Sequence, residues 1–497
     1  MSALARTIPA TSLPSVGVLA AGAAAAIVVI AVLCALMRRH AGAFPLLAVL
    51  TLPFRVPISA DGRTVNLLVP LYLVIAAGTL VHLLPRLLAG AGVGPAGRRE
   101  ALPSLHQPRS WLSPLGLELV LFAAVVLYAL QAIYSSDRAK AAENIAFFYV
   151  PFALLFAILR DTRWTRELLA GCLAVAVTLA VLFAGVGFVE YYRKSLFLNP
   201  KVVAADQYAN YFRVNSVFFD PSIYGRFLAL VMIGVMTVVL VGRGSDAGPL
   251  AQERLRRQTL GGAAVLLWLL AGLVTSFSQS SIAALLLGLA VLGGWCWGVR
   301  PAAYLSAGLL VLALAFVLVA PSSLHFGLKG SGGSAANATS GRTTLIDGGL
   351  ELFAERPLEG YGSGSFETEY KRHSHADAED ATSASHTIPI TVAAEQGIVG
   401  LAMYAALLLV AFAVLFHGAG RAPPRPKPGD TRLRFASPAR PAIAACFAAL
   451  VLHTWTYADF LEDPFTWALL AVGIALARAG AGAVAAREGV GAPASSV

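Results

Sequence analysis

Four stretches of this sequence hold the residue types that chemistry needs. The first is YFRVNSVFFDPSIYGRFLAL, in which Arg213, Asn215, Asp220 and Arg226 lead into an apolar run. Polar groups near a bilayer are costly and tend to be kept for a use, which makes Arg213 and Arg226 candidate functional residues, Arg226 as a substrate contact. Asp220-Pro221-Ser222 reads as a helix start, with a capping acid and a proline in the first turn. Asp220 joins the candidate substrate contacts. In the plainer alternative Arg213 is an interfacial anchor and Arg226 snorkels. The second stretch, TSFSQSSIAALLLGL, gathers Thr275, Ser276, Ser278, Gln279, Ser280 and Ser281 between two apolar runs. Gln279 can donate to a substrate there, although spacing alone favours a tight turn whose hydroxyls satisfy helix ends.

The third stretch begins at Arg342, a candidate clamp for a diphosphate because arginine forks hold phosphate oxygens in pairs, and ends in ERPLEGYGSGSF. Between them Leu345, Ile346, Leu350 and Phe353 predict the apolar face of a short helix that Pro357 ends. The glycines allow close backbone approach or a sharp turn, and Tyr361 stands among them as a candidate substrate contact. This is no P-loop, because the Lys-Ser or Lys-Thr that should follow is missing. The fourth stretch, SHTIPITVAAEQGIVGLAMY, places His386 at the start of an apolar run and Glu395 inside it. A histidine titrates near neutrality and can serve as a general base, and it can equally cap a helix. Upstream, His373, His375, Asp377, Glu379 and Asp380 have a spacing open to a weak metal site or to a solvated polar loop; the loop is the commoner outcome.

What positions these groups is a membrane. The chain has 497 residues, 57% hydrophobic and only 13% charged, with mean hydropathy +0.72. Soluble chains carry about 25% charged residues. Apolar runs of about 18–24 residues recur, each long enough to cross a hydrocarbon core. They fall near 16–37, 43–57, 65–85, 113–134, 141–159, 167–189, 223–242, 260–276, 281–299, 302–320, 387–416, 441–458 and 464–479. The expected fold is an all-α polytopic bundle of about 12–13 spans, with short helices in a long outer loop. The second run is short and carries Pro53 and Pro57, which predicts a broken or partly inserted segment.

The net charge of +10 sits in short loops between apolar runs, a positive-inside signature rather than a nucleic-acid surface. The basic loops at 86–110, 160–166, 243–257 and 421–440 all fall on one side when the spans alternate. Residues 1–497 therefore read as one integral membrane domain of the cytoplasmic membrane. Its expected parts are outer loops at 190–222 and 321–386, a basic cytoplasmic loop at 417–440 and a cytoplasmic tail at 480–497. Cys34, Cys172, Cys296 and Cys446 lie inside apolar runs without CxxC spacing, as small hydrophobes rather than disulfide or metal ligands.

Taken in order, the four stretches resemble the O-antigen ligase and polymerase superfamily of bacterial membrane proteins. Arg213 with FFDPSIYG, then SFSQSSIAAL, then SGRTTLIDGGLELFAERPLEGYGSGSF, then HTIPITVAAEQGIVGL follow that family's pattern over roughly residues 205–415. The departures are Gln279, where ligases often have arginine between the serines, and Thr387, where many relatives have asparagine. The resemblance implies metal-independent transfer of a glycan from a polyprenyl-diphosphate carrier to an acceptor hydroxyl on a glycan, lipid or protein at the outer face, with no cofactor. It implies that Arg213 and Arg342 hold the diphosphate and that His386 takes the acceptor proton. A diphosphate is already a good leaving group, so such an enzyme mainly stabilises developing negative charge and orients the acceptor. One base opposite the leaving group gives inversion. The rival class is a transporter or flippase for a lipid-linked glycan, in which polar residues line a path without covalent chemistry.

Overall fold

The computed structural model describes residues 16–60, 63–91, 111–197, 212–242, 249–298, 300–301, 342–374, 387–417, 433–457 and 459–490. Among them nine helices are long and apolar enough to cross a membrane. The architecture is an all-α polytopic bundle, and the chain is an integral membrane protein. The expected span at 302–320 lies outside the described residues.

The chain divides into two compact units, Met1–Pro95 and Ala96–Val497. In the first, α1 (Val16–Arg39) precedes α2 (Ala43–Thr51), whose nine residues are too few to span. Leu52 caps it and Pro53 comes next, and Thr51 turns its hydroxyl back to the Leu47 carbonyl at 2.8 Å. The expected second span is instead this short helix followed by an antiparallel hairpin, β1 (Val56–Ala60) with β2 (Arg63–Leu67), pairing Val56 with Leu67. Val56, Ile58, Thr64 and Val65 supply the β-branched residues that strands favour. Then α3 (Val69–Gly78) runs through a π turn (Thr79–Leu83) into α4 (Leu84–Ala91).

The second unit starts with α5 (Pro114–Gln131), α6 (Arg138–Asn144), a π turn (Ile145–Tyr149), α7 (Val150–Asp161) and α8 (Arg166–Arg193). It continues with α9 (Pro221–Gly242), α10 (Pro249–Thr275) and α11 (Gln279–Trp297). Two short helices, α12 (Arg342–Glu355) and α13 (Phe366–Ser374), precede α14 (Ile388–Phe416), α15 (Leu433–Trp455) and α16 (Pro464–Val490). Neither α15, with Pro438 and Pro441 inside it, nor α16, apolar over Pro464–Ala479, is among the nine.

The most buried of the nine spans is α9, which packs on α8, α10, α11 and α15. Small residues permit this closeness, as in membrane bundles generally. A Cβ on Gly225 would lie 2.7 Å from the Ser281 hydroxyl, and one on Gly288 2.2 Å from Ile233. On the other side α14 packs on α5 and α12, and α16 on α7 and α15. Of the four cysteines Cys446 alone is buried; Cys34 and Cys172 are half-buried and Cys296 is exposed.

Candidate active site

Three helices, α9, α11 and α16, start at the same end of the bundle, and each start is built by a polar cap. Asp220 accepts the Ser222 N–H at 2.6 Å, as Asp220-Pro221 predicts. Ser278 accepts the Ser281 N–H at 3.3 Å, and Asp463 accepts the Phe465 N–H at 2.9 Å. Capped helix starts present a partial positive charge.

Arg213 reaches this end from the loop before α9. Its Nε donates to the Ser276 carbonyl at 3.3 Å, and the next residue, Val214, donates its N–H to the Thr275 carbonyl at 3.3 Å. The loop is further held by Glu190 at the end of α8, which is fully buried. Its carboxylate accepts the Ser216 N–H at 2.7 Å and the Phe197 N–H at 3.1 Å. The Ser216 hydroxyl donates to the Phe183 carbonyl at 2.8 Å. Glu190 was not among the residues singled out from sequence, because nothing local marks an acid that serves a loop 26 residues on.

The serine junction is a buried polar layer. Ser276, Ser278, Ser280 and Ser281 are all buried, while Gln279, the first residue of α11, is exposed. Ser278 and Ser281 share a hydrogen bond of 2.7 Å, and Ser281 donates to the Ser222 carbonyl at 3.1 Å. Ser280 lies 3.3 Å from Nε2 of His453, a fully buried histidine on α15. Next to this layer Arg226 is buried and does not snorkel: its Nη2 meets the Asp463 carboxylate at 2.7 Å, with both side chains 2% exposed or less. Among the described residues Arg226 Nε and Nη1, the Asn215 amide and the Thr466 hydroxyl find no hydrogen-bond partner.

Glu395 and Tyr361 belong to a second cluster, around PLEGYGSGSF. α14 is broken at Gly397, whose φ of 63° and ψ of −162° only glycine adopts readily. A broken span frees backbone groups that must be satisfied within the protein. Here the Tyr361 N–H donates to the Ala394 carbonyl at 3.2 Å, and the Gly362 N–H to the Glu395 carbonyl at 2.7 Å. Ile398 donates to the Pro357 carbonyl at 2.8 Å, and Gln131 Nε2 to the Gln396 carbonyl at 3.2 Å. The buried Glu395 carboxylate accepts the N–H groups of Gly364 at 2.8 Å and Phe366 at 3.1 Å. Gly360 and Gly362 sit where a Cβ would come within 2.3 Å of backbone of Glu395 and Ser135. The two sequence motifs, glycine loop and ExGxxG, are thus halves of one joint. Glu395, a candidate substrate contact by sequence, has its carboxylate on the protein's own N–H groups.

The joint fixes α12, which opens at Arg342, against α14, which opens two residues after His386. Leu345 and Leu352 are buried there, with Tyr361, Phe366, Tyr370 and Ala394. Leu350, expected on the same face, is exposed, because the buried stripe runs through Leu345, Gly349 and Leu352 toward Phe366 and Ile390. The Tyr361 hydroxyl donates to Glu355, and Arg356 lies over its ring at 4.5 Å. Burial, and then Glu355, push the Tyr361 phenol up to about 12. Both ring nitrogens of His373 face acceptors: Nε2 is 3.0 Å from Glu355, and Nδ1 is 2.9 Å from the Glu369 carbonyl. His386, His375, Asp377, Glu379, Asp380 and the side chain of Arg342 lie outside the described residues.

The fold and these clusters define a polytopic membrane protein whose buried polar groups collect at helix starts. Residues 264–405 match the family model described as O-Antigen ligase, so this stretch of the chain is similar to that family. That stretch runs from α10 to α14 and so takes in the serine junction, α12, the glycine loop and the break at Gly397. No curated protein matches the chain.

Proposed function

We propose that this protein transfers a glycan from a polyprenyl-diphosphate carrier to an acceptor hydroxyl at the outer face of the cytoplasmic membrane. The O-antigen ligase match supports a glycosyltransferase of that family, with lipid-linked glycan donors and glycan acceptors. The observation that carries the reading is the capped end of the bundle. Arg213 sits on the serine junction there, and three helix starts add their dipoles, an arrangement suited to a diphosphate. In this reading Arg213 and Arg342 share the diphosphate and stabilise its charge as it leaves, without a metal ion. His386 takes the acceptor proton from the opposite side, which inverts the anomeric carbon. The class is a GT-C-like membrane transferase.

The test is purified protein reconstituted with lipid-linked oligosaccharide and acceptor. Covalent product is expected; translocation without product would establish the transporter instead. His386→Ala should lower turnover by about 10²–10⁴ with donor binding intact. Arg342→Ala should weaken donor binding, and Arg342→Lys should rescue it poorly, since a point charge cannot form the fork. Equal loss of donor binding in the His386 and Arg342 variants would refute the assigned base.

A further inference from the structure

Asp463 lies outside the stretch matched to the O-antigen ligase family, and its place in the fold gives it two tasks at once. One carboxylate oxygen, Oδ1, caps α16 through the Phe465 N–H at 2.9 Å. The other, Oδ2, meets Arg226 Nη2 at 2.7 Å. The segment around it is fixed from several directions. The Thr466 N–H donates to the Asp463 carbonyl at 3.1 Å, and Trp467 Nε1 donates to the Leu461 carbonyl at 2.8 Å. Tyr149 donates to the neighbouring Glu462 at 2.9 Å. Asp463 is therefore a rigid platform, and the guanidinium it holds takes its orientation from that platform.

Asp463 engages one arm of Arg226. Nε and Nη1 remain buried without a hydrogen-bond partner among the described residues, and so does the hydroxyl of Thr466, three residues beyond Asp463 on α16. Buried guanidinium N–H groups in a membrane bundle are costly to leave unfilled, and phosphate oxygens are their natural acceptors. Ser222, one turn before Arg226 on α9, ties this side chain's surroundings to the serine junction that Arg213 also contacts. We infer that Asp463 is a positioning residue for the donor site: it holds Arg226 with its remaining N–H groups available to a phosphate oxygen of the carrier. This rests on the glycan-transfer reading above.

The experiment uses the full chain in lipid nanodiscs with undecaprenyl-diphosphate-linked oligosaccharide. Donor binding is measured without acceptor, donor KM and kcat with it, and the melting temperature of each variant alongside. Asp463→Asn and Arg226→Lys should each raise donor Kd and KM about tenfold with kcat changed by less than about threefold. The double variant Arg226→Met/Asp463→Leu should melt near the parent, since a buried pair replaced by apolar residues of similar size is often neutral, yet still bind donor poorly. Parental donor binding in the double variant would overturn the inference. So would an Asp463→Asn protein that melts lower but keeps the parental donor Kd, which would leave Asp463 a purely structural role. Should the double variant not fold, Asp463→Asn and Arg226→Lys decide the matter. A parent that binds and transfers no donor would instead refute the function itself.

Discussion

The joint at Gly397 and the helix-start cluster at Arg226 both bury polar groups in an apolar bundle, and they do so in opposite ways. At the joint the groups are mostly backbone, and the break is closed by the loop: Ala394, Glu395, Gln396 and Ile398 each find a partner, and the Glu395 carboxylate takes two N–H groups. At the cluster the groups are side chains, one ion pair joins distant helices, and donors on Arg226 are left over. A saturated network specifies a shape. An unsaturated one leaves hydrogen bonds for something else to complete. Under the proposed function the joint is scaffold and the cluster is site, although the sequence marks both with the same kinds of residues.

The sharpest way to break this contrast is to remove one partner of the ion pair. Asp463→Leu alone should destabilise by about 3–5 kcal/mol by leaving Arg226 buried without its carboxylate, whereas adding Arg226→Met should recover most of it. Thermal unfolding of both variants in detergent checks this, and equal losses would show that the pair does not act as a unit. Next in size is Gly397→Ala, which puts a Cβ 2.2 Å from the Leu358 carbonyl oxygen and forces a backbone that alanine avoids. About 3 kcal/mol should be lost. A loss below about 1 kcal/mol would mean the break relaxes into continuous helix. Glu395→Gln should cost less, about 2 kcal/mol, because one of the two N–H groups on the carboxylate loses its acceptor. Donor Kd should not move; if it rises with the loss of stability, the joint is part of the site after all.

The smallest effect separates two consecutive acids. Burial, and then Asp459, raise the Glu462 carboxyl above its ordinary value. A carboxyl raised in the folded state favours its protonated form there. Stability therefore falls as pH rises through about 4.3, where the unfolded chain ionises first. Glu462→Gln should flatten this slope and cost nothing at pH 7, in contrast to Asp463. Melting temperatures of parent and variant between pH 4 and 7 test it; a variant markedly less stable at pH 7 would show that the charge itself is needed.

Much of the fold was legible in the chain, because lipid demands long uninterrupted apolar runs and those are visible residue by residue. The Asp220-Pro221 start, the serine turn and the end of α12 before Pro357 were legible for a similar reason, since capping is settled within one turn. The hairpin at 56–67 was not, because two prolines beside a short apolar run mark an interruption without saying what replaces it. Nor did Arg226 announce its partner. Asp463 opens a helix far along the chain, and only the fold, which brings the start of α16 to Arg226 on α9, turns a snorkelling candidate into a buried ion pair. The glycine loop and Glu395 were both visible as unusual, yet a carboxylate near glycines looks the same whether it meets a substrate or the loop's own N–H groups. Only the tertiary structure shows the loop contacts, because hydrogen bonds are made to whatever the fold brings within reach, and the fold brings the N–H groups of Gly364 and Phe366 to Glu395.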